Sequence, residues 1–133
     1  MSKSAIRRQT QTISIPTATA AGTLTFNVTL DSNYKYANKV FVNQGAGTDQ
    51  MLLGFSDASA NYSDPVPLAF WASDLHTPSD KRAFPLGAPA GGNVLTVTIS
   101  LPANAASNNT IYVTYELADE PLPAGTALNT STC

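Results

Sequence analysis

The sequence predicts an all-β protein: a two-sheet antiparallel β-sandwich of jelly-roll or Greek-key type with seven or eight strands. Three observations carry this. Segments such as Thr23–Leu30, Leu95–Leu101 and Thr110–Leu117 alternate apolar and small polar residues with period two, which places one face in a core and the other in solvent. Turn-forming clusters separate these segments, and no stretch has the periodicity of a three-turn helix. The connections are long and polar, which favours strands that cross between sheets over a simple meander. An up-and-down barrel is the competing architecture. An immunoglobulin domain is disfavoured because a chain with one cysteine lacks the Cys…Trp…Cys framework.

The elements follow in order. A first strand is expected over Thr10–Ile15, ending at Pro16, which cannot donate to a central ladder. A small-residue turn, Thr17–Gly22, leads to a strand over Thr23–Leu30. Asp31-Ser32-Asn33 has the short polar side chains that satisfy backbone groups in turns. A longer strand is expected from Tyr34 to Gln44, and Gly45–Asp49 breaks the chain. Met51–Phe55 is apolar throughout, as suits a strand buried on both faces. Asp57–Asp64 reads as a polar loop, with Pro65 and Pro67 arguing against a central strand. Leu68–Ala72 resumes a strand or packs as a core segment. Ser73–Asn93, with Pro78, Pro85, Pro89, Gly87, Gly91 and Gly92, is too long for a routine connection and reads as a contact-making excursion. A short strand within it is expected around Ala83–Leu86. Strands over 94–101 and 110–117 close the domain.

At 133 residues the chain suits one domain, large enough to bury a core without disulfides. Its boundaries are read as a basic N-terminal arm over 1–9, the sandwich over 10–118 and a C-terminal tail over 119–133. Charged residues are 12% of the chain, about half the usual ~25%. Ala, Thr, Ser and Asn supply 57 positions instead, and surfaces built from them can approach one another without desolvating charges. The net charge of −2 is uneven: Lys3, Arg7 and Arg8 precede the first acid, Asp31. Such a segment suits weak contact with nucleic acid phosphates or with an acidic neighbour, or simply a solvated terminus. No apolar run resembles a secretory leader or approaches the roughly 20 residues of a membrane span, so synthesis in a cytoplasm and no membrane insertion are expected. Cys133, the only cysteine, cannot form an internal disulfide.

Residues able to do chemistry are scarce. His76 is the only histidine, flanked by Ser73, Asp74, Ser79 and Asp80, but no Gly-x-Ser-x-Gly elbow presents a serine. One His and one Cys cannot make a zinc site. Asp57, Asn61 and Asp64 lack EF-hand spacing, and Gly45-Ala46-Gly47 lacks the rest of a phosphate loop. No catalytic residue, metal or cofactor is therefore expected. Aromatic residues are the better candidates for contact. Adjacent Phe70 and Trp71 cannot both point inward if extended, and Tyr112 and Tyr115 face opposite ways on the last strand. Phe70, Trp71 and Tyr112 are accordingly the candidate interface or glycan contacts, set against ordinary core packing.

The basic segment before the first strand, the Thr-rich strands Thr23–Leu30 and Val94–Leu101, the proline-bearing loops and the missing active site together resemble the single-jelly-roll structural proteins of tailless icosahedral bacteriophages. These are vertex (penton), minor capsid or decoration proteins. The resemblance spans about residues 9 to 118, has no diagnostic motif and carries over no site residue. It implies a non-enzymatic role in the virion, with other copies of the chain and other capsid proteins as partners and weak genome contact through the arm. A carbohydrate-binding or adhesive sandwich module is the alternative.

Overall fold

Val94–Leu101 shows how the alternation becomes structure. Leu95, Val97, Ile99 and Leu101 are buried, while Thr96, Thr98 and Ser100 are turned to the other face. The computed structural model describes residues 6–47, 49–71 and 84–121. Its strands are β1 (Ile6–Ile15), β2 (Gly22–Thr29), β3 (Tyr36–Ala46), β4 (Leu52–Ser56), β5 (Asn61–Pro67), β6 (Phe84–Pro89), β7 (Val94–Leu101) and β8 (Asn109–Ala118). One helical turn, α1 (Leu68–Trp71), follows β5.

The strands form two antiparallel sheets of four, ordered β1-β8-β3-β6 and β2-β7-β4-β5. This order has a simple origin. The first four strands pair with the last four as one long folded ribbon: β1 with β8, β2 with β7, β3 with β6 and β4 with β5. Wrapping that ribbon adds the pairs β3·β8 and β4·β7, which complete each sheet. The result is the eight-stranded jelly roll. The core lies between the sheets, where Phe55 meets Trp71 edge-to-face at 5.0 Å and Tyr115 at 6.2 Å.

Three expectations are corrected. β1 starts at Ile6 rather than Thr10, because Arg7, Arg8 and Gln9 pair with Leu117, Glu116 and Tyr115 of β8. Residues 6–9, read as part of an arm, therefore belong to the sheet. The Asn61–Pro67 stretch is a strand rather than a loop; Pro65 and Pro67 are tolerated because β5 is the outer strand of its sheet. Leu68–Trp71 takes the second of its two expected forms: it is a helical turn that packs Leu68 and Trp71 into the core, not a resumed strand. Third, the short strand expected around Ala83–Leu86 runs over Phe84–Pro89, while residues 73–83 of the expected excursion lie outside the described residues.

Three local devices position the surfaces. Asn38 is the extra residue of a β3 bulge between Ala37 and Lys39; its Nδ2 donates to the Glu120 carbonyl at 2.7 Å, while its Oδ1 is buried without a partner. A second β3 irregularity lies between Gln44 and Ala46 and contains Gly45. In β4, Gly54 faces the irregular stretch of β5: a Cβ there would stand 2.5 Å from the Ser63 carbonyl oxygen and 2.8 Å from the Pro65 nitrogen. Only glycine lets β5 cross so close.

Candidate functional site

The buried side chains of the two sheets form one core cluster, and two of the candidate contact residues, Phe70 and Tyr112, lie at the surface. Trp71, a candidate contact residue, is instead fully buried (0% exposed), and its indole N–H donates to the Leu53 carbonyl at 2.7 Å. Its expected exposure is corrected for a physical reason: the helical turn lets Trp71 point inward while neighbouring Phe70 points out. Phe70 is 56% exposed and stacks edge-to-face on Trp71 at 5.6 Å.

Tyr112 is 41% exposed on the outer face of the β1-β8-β3-β6 sheet, opposite Thr12 of β1 and Asn43 of β3. Its ring lies across Gly45, where any Cβ would overlap it. The missing side chain thus allows the ring to lie close along the β3 backbone, with Thr12 and Asn43 flanking it.

Of the candidate basic residues, the two that are described, Arg7 and Arg8, each bond an acid of their own chain. Arg7 bonds Asp31, in the connection after β2, and Arg8 reaches Glu116 of β8 at 3.3 Å. Backbone donation from Asn33 and the Arg7 guanidinium hold the Asp31 carboxyl below its ordinary value. Lys3 lies outside the described residues, as do His76 and Cys133. Beside Arg7, the Gln9 amide donates to the Thr29 carbonyl at 2.9 Å and accepts from the Asp31 N–H at 3.1 Å. Gln11 donates to the Asn27 carbonyl at 3.5 Å and accepts from the Tyr115 hydroxyl at 3.0 Å. These two glutamines stitch β1 to β2 along one open side of the sandwich. Burial raises the pKa of the Tyr115 hydroxyl.

Two carboxylates fasten the opposite ends. At one end, Asp49 accepts from the Ala106 N–H (3.0 Å), the Ser107 N–H (3.0 Å) and hydroxyl (2.9 Å), and the Asn109 amide (2.7 Å). Donation from Asn109, Ala106 and Ser107 holds its pKa down to about 2. The same end ties in the β1–β2 loop: Thr17 N–H donates to Asn108 Oδ1 and Ala21 N–H to Asn104 Oδ1, both at 2.8 Å. Ala18 sits there at a φ of 71°, unusual for a residue with a Cβ, and its N–H donates to the Ala105 carbonyl at 2.8 Å. Three loops are thereby locked into one small-residue surface around an ionised aspartate held by neutral hydrogen-bond donors.

At the other end, Asp57 accepts from the Ser59 N–H (2.8 Å), the Ala60 N–H (2.9 Å), the Tyr62 hydroxyl (2.7 Å) and the Asn93 amide (2.9 Å). Burial pushes the Asp57 pKa up, but donation from Tyr62, Asn93, Ser59 and Ala60 outweighs it and the net shift is down. Burial and then Asp57 itself raise the Tyr62 hydroxyl. The Asp57–Asp64 segment thus uses its leading carboxylate as a turn knot. Among the described residues, no three His, Cys, Asp or Glu side chains converge, and no helix is long and apolar enough to cross a membrane.

Sequence reasoning missed Asp49, Asn109, Gln9 and Gln11. Asp49 carried a signal, an acid inside a chain-breaking cluster, but its partners lie about sixty positions away and nothing local announces them.

Comparison with known proteins returns no match: no family model, no curated protein and no solved structure matches this chain.

Proposed function

We propose that this protein is a non-enzymatic structural component of an icosahedral bacteriophage virion, at a capsid vertex (penton), minor capsid or decoration position. It works through contacts with copies of itself and with other capsid proteins. The observation that carries this reading is the strand order β1-β8-β3-β6 over β2-β7-β4-β5, an architecture of viral capsid domains, lectins and cupins. Against a cupin-type use, Phe55 packs edge-to-face on Trp71 and Tyr115 inside the sandwich, where such chemistry needs ligands and space. The locked loop surface around Asp49 is built of small residues, and its one carboxylate is already satisfied by hydrogen bonds from its own chain, which suits close packing against another protein. Genome contact through Lys3, Arg7 and Arg8 is a weak one in this proposal, since Arg7 and Arg8 already bond acids of their own chain. Assembly follows synthesis in the host cytoplasm, with no insertion into membrane.

The test is electron microscopy and mass spectrometry of purified particles, beside size-exclusion chromatography with light scattering. The protein is expected at a symmetric position in the particle. Particles that consistently lack it overturn the reading.

A second reading, a carbohydrate-binding module, is favoured by one observation: Tyr112 presents a partly exposed ring flanked by Thr12 and Asn43, a stacking platform with polar neighbours. Glycan-array binding that is lost in Tyr112→Ala with the fold intact would promote it. Trp71, being buried, has no part in that test.

A further inference from the structure

A jelly roll has four outer strands, each a row of backbone donors and acceptors that another chain can extend. Here the outer strands are β1, β6, β2 and β5, and three of them carry a blocking device. β5 contains Pro65 and Pro67 and has two register shifts against β4. β6 is six residues long and contains Pro85 and Pro89, neither of which has an N–H to offer. β2 has the carbonyls of Thr29 and Asn27 occupied by the Gln9 and Gln11 side chains.

β1 carries none of these devices. It runs ten residues, contains no proline and holds an unbroken register against β8 from Ile6 to Ile15. No second strand lies beside it among the described residues. Its two cations are the kind of residue that normally guards an edge, yet Arg7 bonds Asp31 and Arg8 bonds Glu116. Thr10, Thr12 and Ser14 on its outer face are exposed and uncharged.

We infer that β1 is a strand-addition site whose occupant is the β1 of a second copy of this chain, paired antiparallel across a twofold axis. The partner follows by elimination. An identical copy offers four edges, three of them blocked in the same way, so the only edge able to reciprocate is β1 itself. Two copies of one surface meeting each other make an isologous, twofold contact. It joins the two β1-β8-β3-β6 sheets into one eight-stranded sheet, with main-chain hydrogen bonds across the join.

Residues directly opposite on an antiparallel pair share a face, so the partner registers of greatest overlap are centred on Thr10 or on Gln11. The first sets Arg8 opposite Thr12 of the partner subunit. The second sets Arg8 opposite Ser14 of the partner subunit, with Thr12 diagonal to it. Neither sets like charges face to face, and both leave Thr12 next to a cation from the other copy. This contact takes its partner, another copy of the chain, from the assembly reading above.

That placement gives a test with opposite signs. In sedimentation velocity or light scattering, Thr12→Lys is expected to weaken the dimer about tenfold, by repulsion from Arg8 of the partner subunit. Thr12→Glu is expected to bind at least as tightly as the parent. Thr25→Lys, an exposed position on β2, is the control and leaves the dimer unchanged. Circular dichroism verifies that all variants fold. A parent that stays monomeric at high micromolar concentration, Lys and Glu variants that behave alike, or a β2 control that dissociates equally each overturns the inference. A monomer still found in purified particles overturns this contact and leaves the virion reading standing. A dimer absent from particles does the reverse.

Discussion

Asp49 and Asn109 hold each other in both directions: Asn109 Nδ2 donates to Asp49 Oδ2 at 2.7 Å, and the Asp49 N–H donates to Asn109 Oδ1 at 3.3 Å. Gln44 of β3 donates to the same Asn109 oxygen at 2.9 Å. One side-chain pair therefore fixes the β3–β4 loop, the β7–β8 loop and the start of β8 relative to one another.

The pair makes stability depend on pH in a stated window. The Asp49 carboxyl is held down to about 2 in the folded protein against an ordinary 3.8. A depressed carboxyl stabilises the fold fully above its unfolded value and loses that contribution as pH falls toward the folded one. Asp49→Asn is expected to melt below the parent at pH 7, and the gap should close between about pH 4 and pH 2. Thermal unfolding across that range checks it; a gap that stays constant refutes the assignment.

Gly54→Ala sets a Cβ against the β5 backbone, which cannot rotate away as a side chain could. A loss of about 1–3 kcal/mol is expected in chemical denaturation, the cost of overpacking. An unchanged midpoint would mean that β5 shifts freely.

Gly45 and Tyr112 should be coupled. Gly45→Ala displaces the ring that lies over it, and in a Tyr112→Ala background the same change has little to displace. A double-mutant cycle is expected to return an interaction of about 0.5–3 kcal/mol, with the double mutant more stable than the single losses add up to. Additivity would place the ring elsewhere in solution.

Phe70 and Trp71 are adjacent and should behave oppositely. Trp71→Ala empties a fully buried site and breaks the bond to Leu53, with an expected cost of about 3–5 kcal/mol. Phe70→Ala removes a mostly exposed ring and should stay within about 1 kcal/mol. Any effect of Phe70→Ala on assembly or on sugar binding would then be a surface effect, which size-exclusion and glycan assays can read on a folded protein.

The strands that were legible in the sequence are those with strict alternation, at an edge (β2) as well as inside a sheet (β7). Val94–Leu101 has the limits expected of it because every second residue is apolar and a turn bounds each end. β5 was hidden because proline reads as a strand breaker, and only the sheet order reveals that its nitrogen faces no ladder partner. The start of β1 was hidden because Arg7-Arg8-Gln9 looks like a solvated arm; the acids that receive those cations are Asp31 and Glu116, far along the chain. Of the adjacent pair Phe70 and Trp71, both candidate contacts, one lies at the surface as expected, but no local pattern says that it is Phe70 and that Trp71 is buried against Leu53 and Phe55. The aromatic exposure of Phe70 and Tyr112 was legible, whereas the Asp49, Gln9 and Gln11 attachments depend on pairings that no local pattern encodes.

The first strand pairs with the last: Ile6 stands opposite Ala118, and every rung from there to Ile15 and Asn109 joins the two ends of the domain. On a ribosome, β1 emerges first and has no partner until β8 has been made. The nascent chain therefore carries a long, uncapped strand through most of its synthesis, and the sandwich closes late, with the slow kinetics of distant pairings. The Gln- and Thr-rich, apolar-poor composition of Arg7–Thr12 keeps that waiting segment soluble.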